Sequence, residues 1–388
     1  MKQFLKNSRT GAAPHYRYTS ILLLAVLLIT SVVAPGQAQV QSAARSTLAV
    51  AAPSTVMQLV SSRALPNVLV ARLASSEHPL RYSLDGGRTW RLIVTPWSES
   101  YQIAVAPRAN GSVRILASAL TDNRHLLYRT GDFGATWSEG QAFPGYWGGL
   151  IASPADPQRL YVSGDTGWYT LPGDGCFPFP CEAKDGYVYT SSDAGITWQR
   201  QITRSLAYFE AVVPSPVILT TAYVGDIARV QSMRWIELPS QKDLNFPIDR
   251  LALDPVDPAK LYGAVFDSTS WPTGTITIGK TSTNGGNDWL PWAETPPGCV
   301  HLMAHPTKSG YLYLRCAQGL YRSIDSGQHW QLLSPIKGDL LVPNYGSPGQ
   351  LLWAREDGLW ASNDDGNRWD QLIADWVLYQ VYLPGIIR

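Results

Sequence analysis

Ser83-Leu-Asp85-Gly-Gly87-Arg-Thr89-Trp90 is an octapeptide that this chain repeats with small variations. The further copies are Thr130-Gly-Asp132-Phe-Gly134-Ala-Thr136-Trp137, Ser191-Ser-Asp193-Ala-Gly195-Ile-Thr197-Trp198, Ser282-Thr-Asn284-Gly-Gly286-Asn-Asp288-Trp289, Ser323-Ile-Asp325-Ser-Gly327-Gln-His329-Trp330 and Ser362-Asn-Asp364-Asp-Gly366-Asn-Arg368-Trp369. The common pattern is Ser or Thr, then Asp or Asn, then Gly at the fifth place and Trp at the eighth. A carboxylate or amide accepts bonds from the N–H groups of a tight turn, and Gly enters backbone conformations closed to other residues. The spacing therefore predicts a strand ending at Ser or Thr, a reversal, and a new strand whose Trp buries against the sheet.

Working outward, a short strand precedes each reversal, as in Leu126-Leu-Tyr128-Arg-Thr130 and Gly319-Leu-Tyr321-Arg-Ser323. Further upstream, Ile103-Ala-Val105-Ala-Pro107, Leu251-Ala-Leu253-Asp-Pro255 and His301-Leu-Met303-Ala-His305-Pro306 read as strands ended by Pro. Each leads into another strand, such as Lys260-Leu-Tyr262-Gly-Ala264. One module is thus four strands. Between Trp198 and Trp289 the spacing is about twice that of other neighbouring copies, and Trp235 within it reads as a degenerate seventh copy without the acidic turn. Seven modules predict an all-β fold, a seven-bladed β-propeller with four-stranded blades; a six-bladed ring with residues 199–280 as an insertion is the alternative. Ring closure is open between two segments, Val377-Leu-Tyr-Gln-Val-Tyr-Leu383 and Val56-Met-Gln-Leu-Val60, either of which can supply the inner strand beside Val68-Leu-Val-Ala71.

Composition agrees with many short strands: of 388 residues, 15 are Trp, 19 Tyr, 33 Gly and 28 Pro, and only 16% are charged. With 31 basic against 30 acidic residues the formal net charge is +1, and no concentrated basic stripe offers a footprint for nucleic acid. At the N-terminus, Lys2, Lys6, Arg9 and Arg17 precede an apolar run from Ile21 to Ala34, the order of an export signal. Cleavage near Gly36-Gln37-Ala38 and retention as a membrane anchor through residues 18–34 both fit this layout. Either way the chain is expected to be secreted or extracytoplasmic. The expected organisation is a signal or anchor over 1–38, a leader over 39–52 and the propeller over 53–388.

Four cysteines in an exported chain point to two disulfides. Cys299 opens an inner strand and Cys316 ends the next, so antiparallel pairing places them opposite each other. Cys176 and Cys181 would staple the tip of a long loop. No His clusters with either pair, so neither a metal site nor a cofactor is expected.

The octapeptide resembles the Asp-box, or BNR, repeat of sialidase-like propellers. The Pro-marked strand followed by Leu-Tyr, as in Leu253-Asp-Pro255 to Leu261-Tyr262, looks like the xyloglucanases, the Vps10 domain of sortilins and the photosystem II assembly and stability factors. The resemblance covers residues 68–388 and implies that Asp85, Asp132, Asp193, Asn284, Asp325 and Asp364 are structural and lie on the face away from any site. Enzymes and binding modules share this repeat. A sialidase would carry an early Arg in a Phe/Tyr-Arg-Ile-Pro strand. Here Leu80-Arg81-Tyr82-Ser83 departs from it, and no Arg triad can be placed.

Attention therefore moves to the loops opposite the acidic turns, where a rigid scaffold carries function. The longest is Gly164 to Gly186, with Asp165, Trp168, Tyr169 and Asp174. Trp147, Trp271 and Glu294 complete the candidate ligand-binding residues, with Trp97 and Trp292 expected on the same face. Trp and Tyr platforms suit sugar rings or protein hot spots. For catalysis the candidate carboxylates are Asp165 paired with Glu210 or Asp267. The first functional reading is a non-catalytic scaffold binding a protein or carbohydrate ligand on this face. The alternative is a sialidase-like or xyloglucanase-like glycoside hydrolase acting through loop carboxylates.

Overall fold

Alternation along the strands decides the architecture. In Leu65–Leu73, Leu69 and Ala71 join a hydrophobic cluster with Leu352 and Leu359. Val68 and Val70, on the other face, join Ile103, Val105 and Ile115. Successive strand residues point to opposite faces, so a strand buried on both sides must be covered by two different neighbours. The pattern repeats until it closes: there are seven such clusters, each shared by two adjacent sheets, and the last joins the final sheet to the first. Each buried Leu, Ile or Val side chain contributes about 1.5–3 kcal/mol, so the interfaces between sheets are the core.

The computed structural model describes residues 56–74, 79–97, 102–121, 124–166, 169–170, 182–183, 185–204, 209–226, 234–244, 248–266, 275–338, 340–355 and 357–374. They form a seven-bladed propeller of four-stranded antiparallel blades, spanning residues 56–93, 102–142, 146–204, 209–243, 250–291, 299–334 and 340–374. Strands follow one another outward in sequence order, and no helix occurs among the described residues. Blades 5 and 6 are joined by one bridge, Ile276 to Cys299. The first strands surround the axis. They enclose an apolar cavity of about 270 Å³ lined by Leu59, Val105, Leu150, Val213 and Val342.

Of the two candidates for the first strand of blade 1, Val56–Ser62 occupies the position and pairs with Leu65–Leu73. Val377–Leu383 lies outside the described residues, as do the expected signal and leader. The degenerate module is the blade over 209–243, but Trp235 is not the counterpart of the other repeat Trp residues. It sits within the third strand, Arg234–Leu238, ahead of the reversal, fully buried with its Nε1 donating to Ile248 O at 2.7 Å. The reversal after it spans only Pro239–Gln241, leaving no room for the octapeptide.

The octapeptides close the third and fourth strands of six blades. In the first, Ser83 Oγ donates to Asp85 Oδ1 (2.8 Å) and accepts from Gly87 N–H (2.8 Å). Asp85 Oδ1 also accepts from Thr89 N–H (2.9 Å), and Thr89 Oγ1 donates to Oδ2 (2.6 Å). Positions 4 and 5 are both left-handed; at position 4 Phe133, Ala194, Ser326 and Asp365 tolerate φ of 55 to 64°. Position 5 is always Gly for two reasons: its φ is larger, 82 to 99°, and it lies against the preceding blade. A methyl group on Gly195 would sit 2.3 Å from Leu116 Cδ2, and one on Gly286 2.5 Å from Leu244 Cδ2.

A second device locks the blades. After the fourth strand, the chain leaves an aromatic wedge against the next blade. Trp97 stacks on Tyr128 at 4.1 Å and meets Trp137 at 4.8 Å. Phe143 does the same with Tyr189 and Trp198, and Trp292 lies 5.2 Å from Trp330. Trp97 and Trp292 are therefore interblade core and not part of the loop face, a correction to the sequence expectation. An indole that covers a neighbouring sheet stabilises more than one left in solvent.

Candidate functional site

In each blade the turn between strands one and two and the turn between strands three and four share one end. The connections between strands two and three, and between blades, share the other. That second end is the loop face. Connection lengths there differ: blade 3 runs from Asp165 to Gly186, blade 5 from Phe266 to Ile276, while blades 6 and 7 turn within Ala317–Gln318 and 356–357. The long connection continues its parent hairpin as a ribbon. Tyr169 pairs with Ala183 and Thr170 with Glu182, and its base is closed by Thr166 N–H donating to Asp185 O (2.9 Å).

Asp165 ends the second strand of blade 3, in register with Tyr146 on one side and Gly186 on the other. Its side chain is fully buried. Beside it the Tyr187 hydroxyl, which donates to Pro144 O at 2.7 Å, is pushed strongly upward by burial and by the Asp165 charge. Trp147 lies in the first strand of the same blade opposite Gly164, and Glu210 in the first strand of blade 4; for these and for Tyr169 the structure gives the strand position alone. Glu294 is exposed on the segment between blades 5 and 6. Trp168, Asp174, Asp267, Trp271, Cys176 and Cys181 lie outside the described residues. Of the three candidate catalytic carboxylates, only Asp165 has a described side chain.

What it does bring together is a basic corner. Cys299 and Cys316 are disulfide-bonded and directly paired, as the spacing predicts, joining the first two strands of blade 6 at their loop-face ends. Next to that bond, His301 pairs with Arg315. Burial, together with the Arg315 and Arg250 guanidiniums, pushes His301 down to about 4, so the imidazole is neutral at pH 7. Arg315 Nη1 donates to Gly338 O at 3.2 Å. Its stem and Lys337 line a groove of about 400 Å³, floored by Gly298, Ala317, Gly319 and Gly338. A methyl group on Gly319, at φ 129°, would fall 2.0 Å from Ser334 O, so the short turn brings backbone close to the groove. Sequence reasoning did not select these residues, since strand-end Arg and His belong to no motif. The paired cysteines alone would set Val300 opposite Arg315; a register shift after Cys299 brings His301 there instead.

Elsewhere on the loop face charges are consumed locally. Arg355 in blade 7 is buried, bonded to Asp357 through Nη2 (2.6 Å) and stacked over Trp360 at 4.2 Å. Among the described residues no group of three His, Cys, Asp or Glu side chains could hold a metal ion.

No family model matches the sequence, and no curated protein does. Solved structures match the fold. An ancestral GH74 enzyme superposes with a TM-score of 0.59 at 16% identity, covering 83% of this chain and 46% of that one. YCF48 bound to D1 peptide gives 0.52 at 17% identity, covering 78% and 91%. An acylaminoacyl peptidase gives 0.52 at 8% identity, covering 83% and 52%. The chain spans about half the length of the GH74 enzyme it matches. At such identities the likeness is one of fold, shared by catalytic and non-catalytic proteins. The narrower sialidase-type identity does not follow from it: the chain is a seven-bladed β-propeller whose fold is shared with several propeller families.

Proposed function

We propose that this chain is an exported, non-catalytic binding scaffold that takes an acidic peptide segment of a partner protein on its loop face at blade 6. The observation carrying this reading is the groove beside the Cys299–Cys316 bond, which Arg315 and the exposed Lys337 line next to the exposed turn at Ala317. Two cations lining one groove suit a carboxylate-bearing segment, because charge-assisted bonds are the strong ones. Asp165, the catalytic candidate with a described side chain, is buried at the end of its strand, which favours binding over hydrolysis. The fold-level likeness to YCF48 bound to D1 peptide is compatible with a peptide ligand and carries no weight beyond the fold.

The test pairs binding with turnover on the exported chain. Fluorescence anisotropy against acidic and basic peptide pools is expected to select acidic peptides. Affinity should fall about tenfold in Arg315→Ala with Lys337→Ala and weaken with salt, as lost charge-assisted contacts require. Equal affinity for both pools would sink the charge argument. Reducing-sugar release from xyloglucan or sialyl-lactose would replace the scaffold reading by the hydrolase one.

A further inference from the structure

The opposite end of the ring carries a second basic site that the proposed function does not use. On blade 2, Arg108 follows the Pro-marked turn, Arg114 lies in the second strand and Arg129 in the third. All three line one recess of about 420 Å³ together with Gly131, Asp132 and Trp137.

Two of the guanidiniums are fixed by the neighbouring blade. Arg114 Nη1 donates to Asp193 O (3.1 Å) and Ala194 O (2.9 Å), and Arg129 Nη1 donates to Gly195 O (3.3 Å). This is an interblade tie, repeated where Arg322 Nη1 donates to Asp365 O. A tie accounts for one edge of each planar fork, which offers five N–H donors. It does not account for Arg108. That side chain lies over Gly131, where a methyl group would come within 2.4 Å of its Nη1. The second position of the octapeptide holds Leu84, Ser192, Thr283, Ile324 and Asn363 in the other copies, and Gly only here. Glycine at this place admits a third guanidinium to a recess that already has two.

Like charges repel, and the crowding is felt: burial and then the Arg129 and Arg108 charges lower Arg114 from its ordinary value. The one carboxylate in the lining does not neutralise the group. Asp132 Oδ1 accepts from Thr130 Oγ1 and Thr136 N–H, and Oδ2 from Thr136 Oγ1, all within its own turn. Three cations line the recess against Asp132, with Asp193 of the next blade also acting on Arg114, so positive charge remains in excess. A small oxyanion with several acceptor oxygens matches that excess and the forked donors.

We propose that the Arg108–Arg114–Arg129 recess is an oxyanion-binding site for a phosphate or sulfate group, on the face opposite the peptide groove. The group could be the free ion or an ester on a polymer, and both share this chemistry.

Isothermal titration of the exported chain with inorganic phosphate and with sulfate, at constant ionic strength in chloride, tests it. One saturable site is expected, at least fivefold weaker in Arg108→Ala and in Gly131→Val, which keeps every charge but displaces Arg108. Arg315→Ala with Lys337→Ala should leave it unchanged, which separates this site from the groove. Heparin that competes with phosphate would assign the site to sulfated polymers; competition by the small ions alone would assign it to free anions. Because Arg114 and Arg129 hold blades together, they are left intact. The proposal is overturned if phosphate and sulfate do not bind, or if both Arg108→Ala and Gly131→Val bind them as the parent does.

Discussion

His305 in blade 6 holds its Nε2 3.1 Å from Asp365 Oδ1 in the last turn of blade 7, while its Nδ1 accepts N–H bonds from Thr307 and Lys308, both at 3.1 Å. Accepting at Nδ1 fixes the neutral tautomer with its proton on Nε2. The ring is buried and its affinity for a second proton is lowered, first by burial and against the pull of Asp365. This histidine is a structural part of the acidic-turn face.

His305 and His301 together predict an acid-sensitive fold. Both bind a proton less readily in the folded ring than in the unfolded chain, so stability is fully present above the ordinary histidine value of 6.5 and is lost as pH falls toward about 4, the value for His301. The expected loss between pH 7 and pH 5 is about 1–2 kcal/mol for His301, with a further loss of the same sign from His305. Thermal melts across that range check it, and His301→Gln should remove its share of the slope. A flat profile would mean that neither ring is kept neutral.

The turn carboxylates set a lower window. Bonds from the Thr136 side chain, the Thr136 N–H and Thr130 hold Asp132 at about 2. A depressed carboxylate stabilises above its ordinary value of 3.8 and loses that contribution as pH falls through 2. Asp132→Ala is expected to lower stability at pH 7 by about 1–2 kcal/mol and to flatten the unfolding profile below pH 4.

At the fifth octapeptide position, Gly195→Ala should cost about 2–4 kcal/mol, from strain at φ 83° and the clash with Leu116. Its neighbour Ala194, at φ 57°, should accept Gly with little loss or a small gain. Chemical denaturation of the two variants side by side separates the positions.

Truncating the wedge, Trp97→Ala, is expected to cost about 3–5 kcal/mol because it removes the stack between Tyr128 and Trp137. Replacing Cys299 and Cys316 by Ala should cost about 2–4 kcal/mol. The second change should also loosen peptide binding, since His301 and Arg315 lose their anchor, whereas the Trp97 variant should bind normally once folded.

The octapeptide could be read from sequence because its bonds span at most four residues, from Ser83 to Gly87 or Asp85 to Thr89. The Pro-marked first turn is local too, which is why the four-strand module and the Cys299–Cys316 pairing were legible. Trp97 and Trp292 were misplaced because their partners belong to the next blade, a relation that no spacing within a module encodes. Trp235 was misread for a related reason: an aromatic at the expected distance looks the same on a third strand as after a turn. The basic corner depends on which residues share a strand end, so it emerged only once register was known.

Each blade here is a run of consecutive strands, and the first meets the last through Ser61 Oγ, which accepts Tyr345 N–H at 2.8 Å, and through the Leu69–Leu359 cluster. Among the described residues, packing at this seam is of the same kind as at the other interfaces, apart from the bridge between blades 5 and 6, so the ring has no privileged starting point. Chain ends moved to any exposed interblade linker, with the native ends joined, should yield the same circle. Conversely, a pulling force applied across the seam meets side-chain packing, whereas one applied within a blade must break a hydrogen-bonded ladder. The molecule should therefore open like a clasp before any blade unravels.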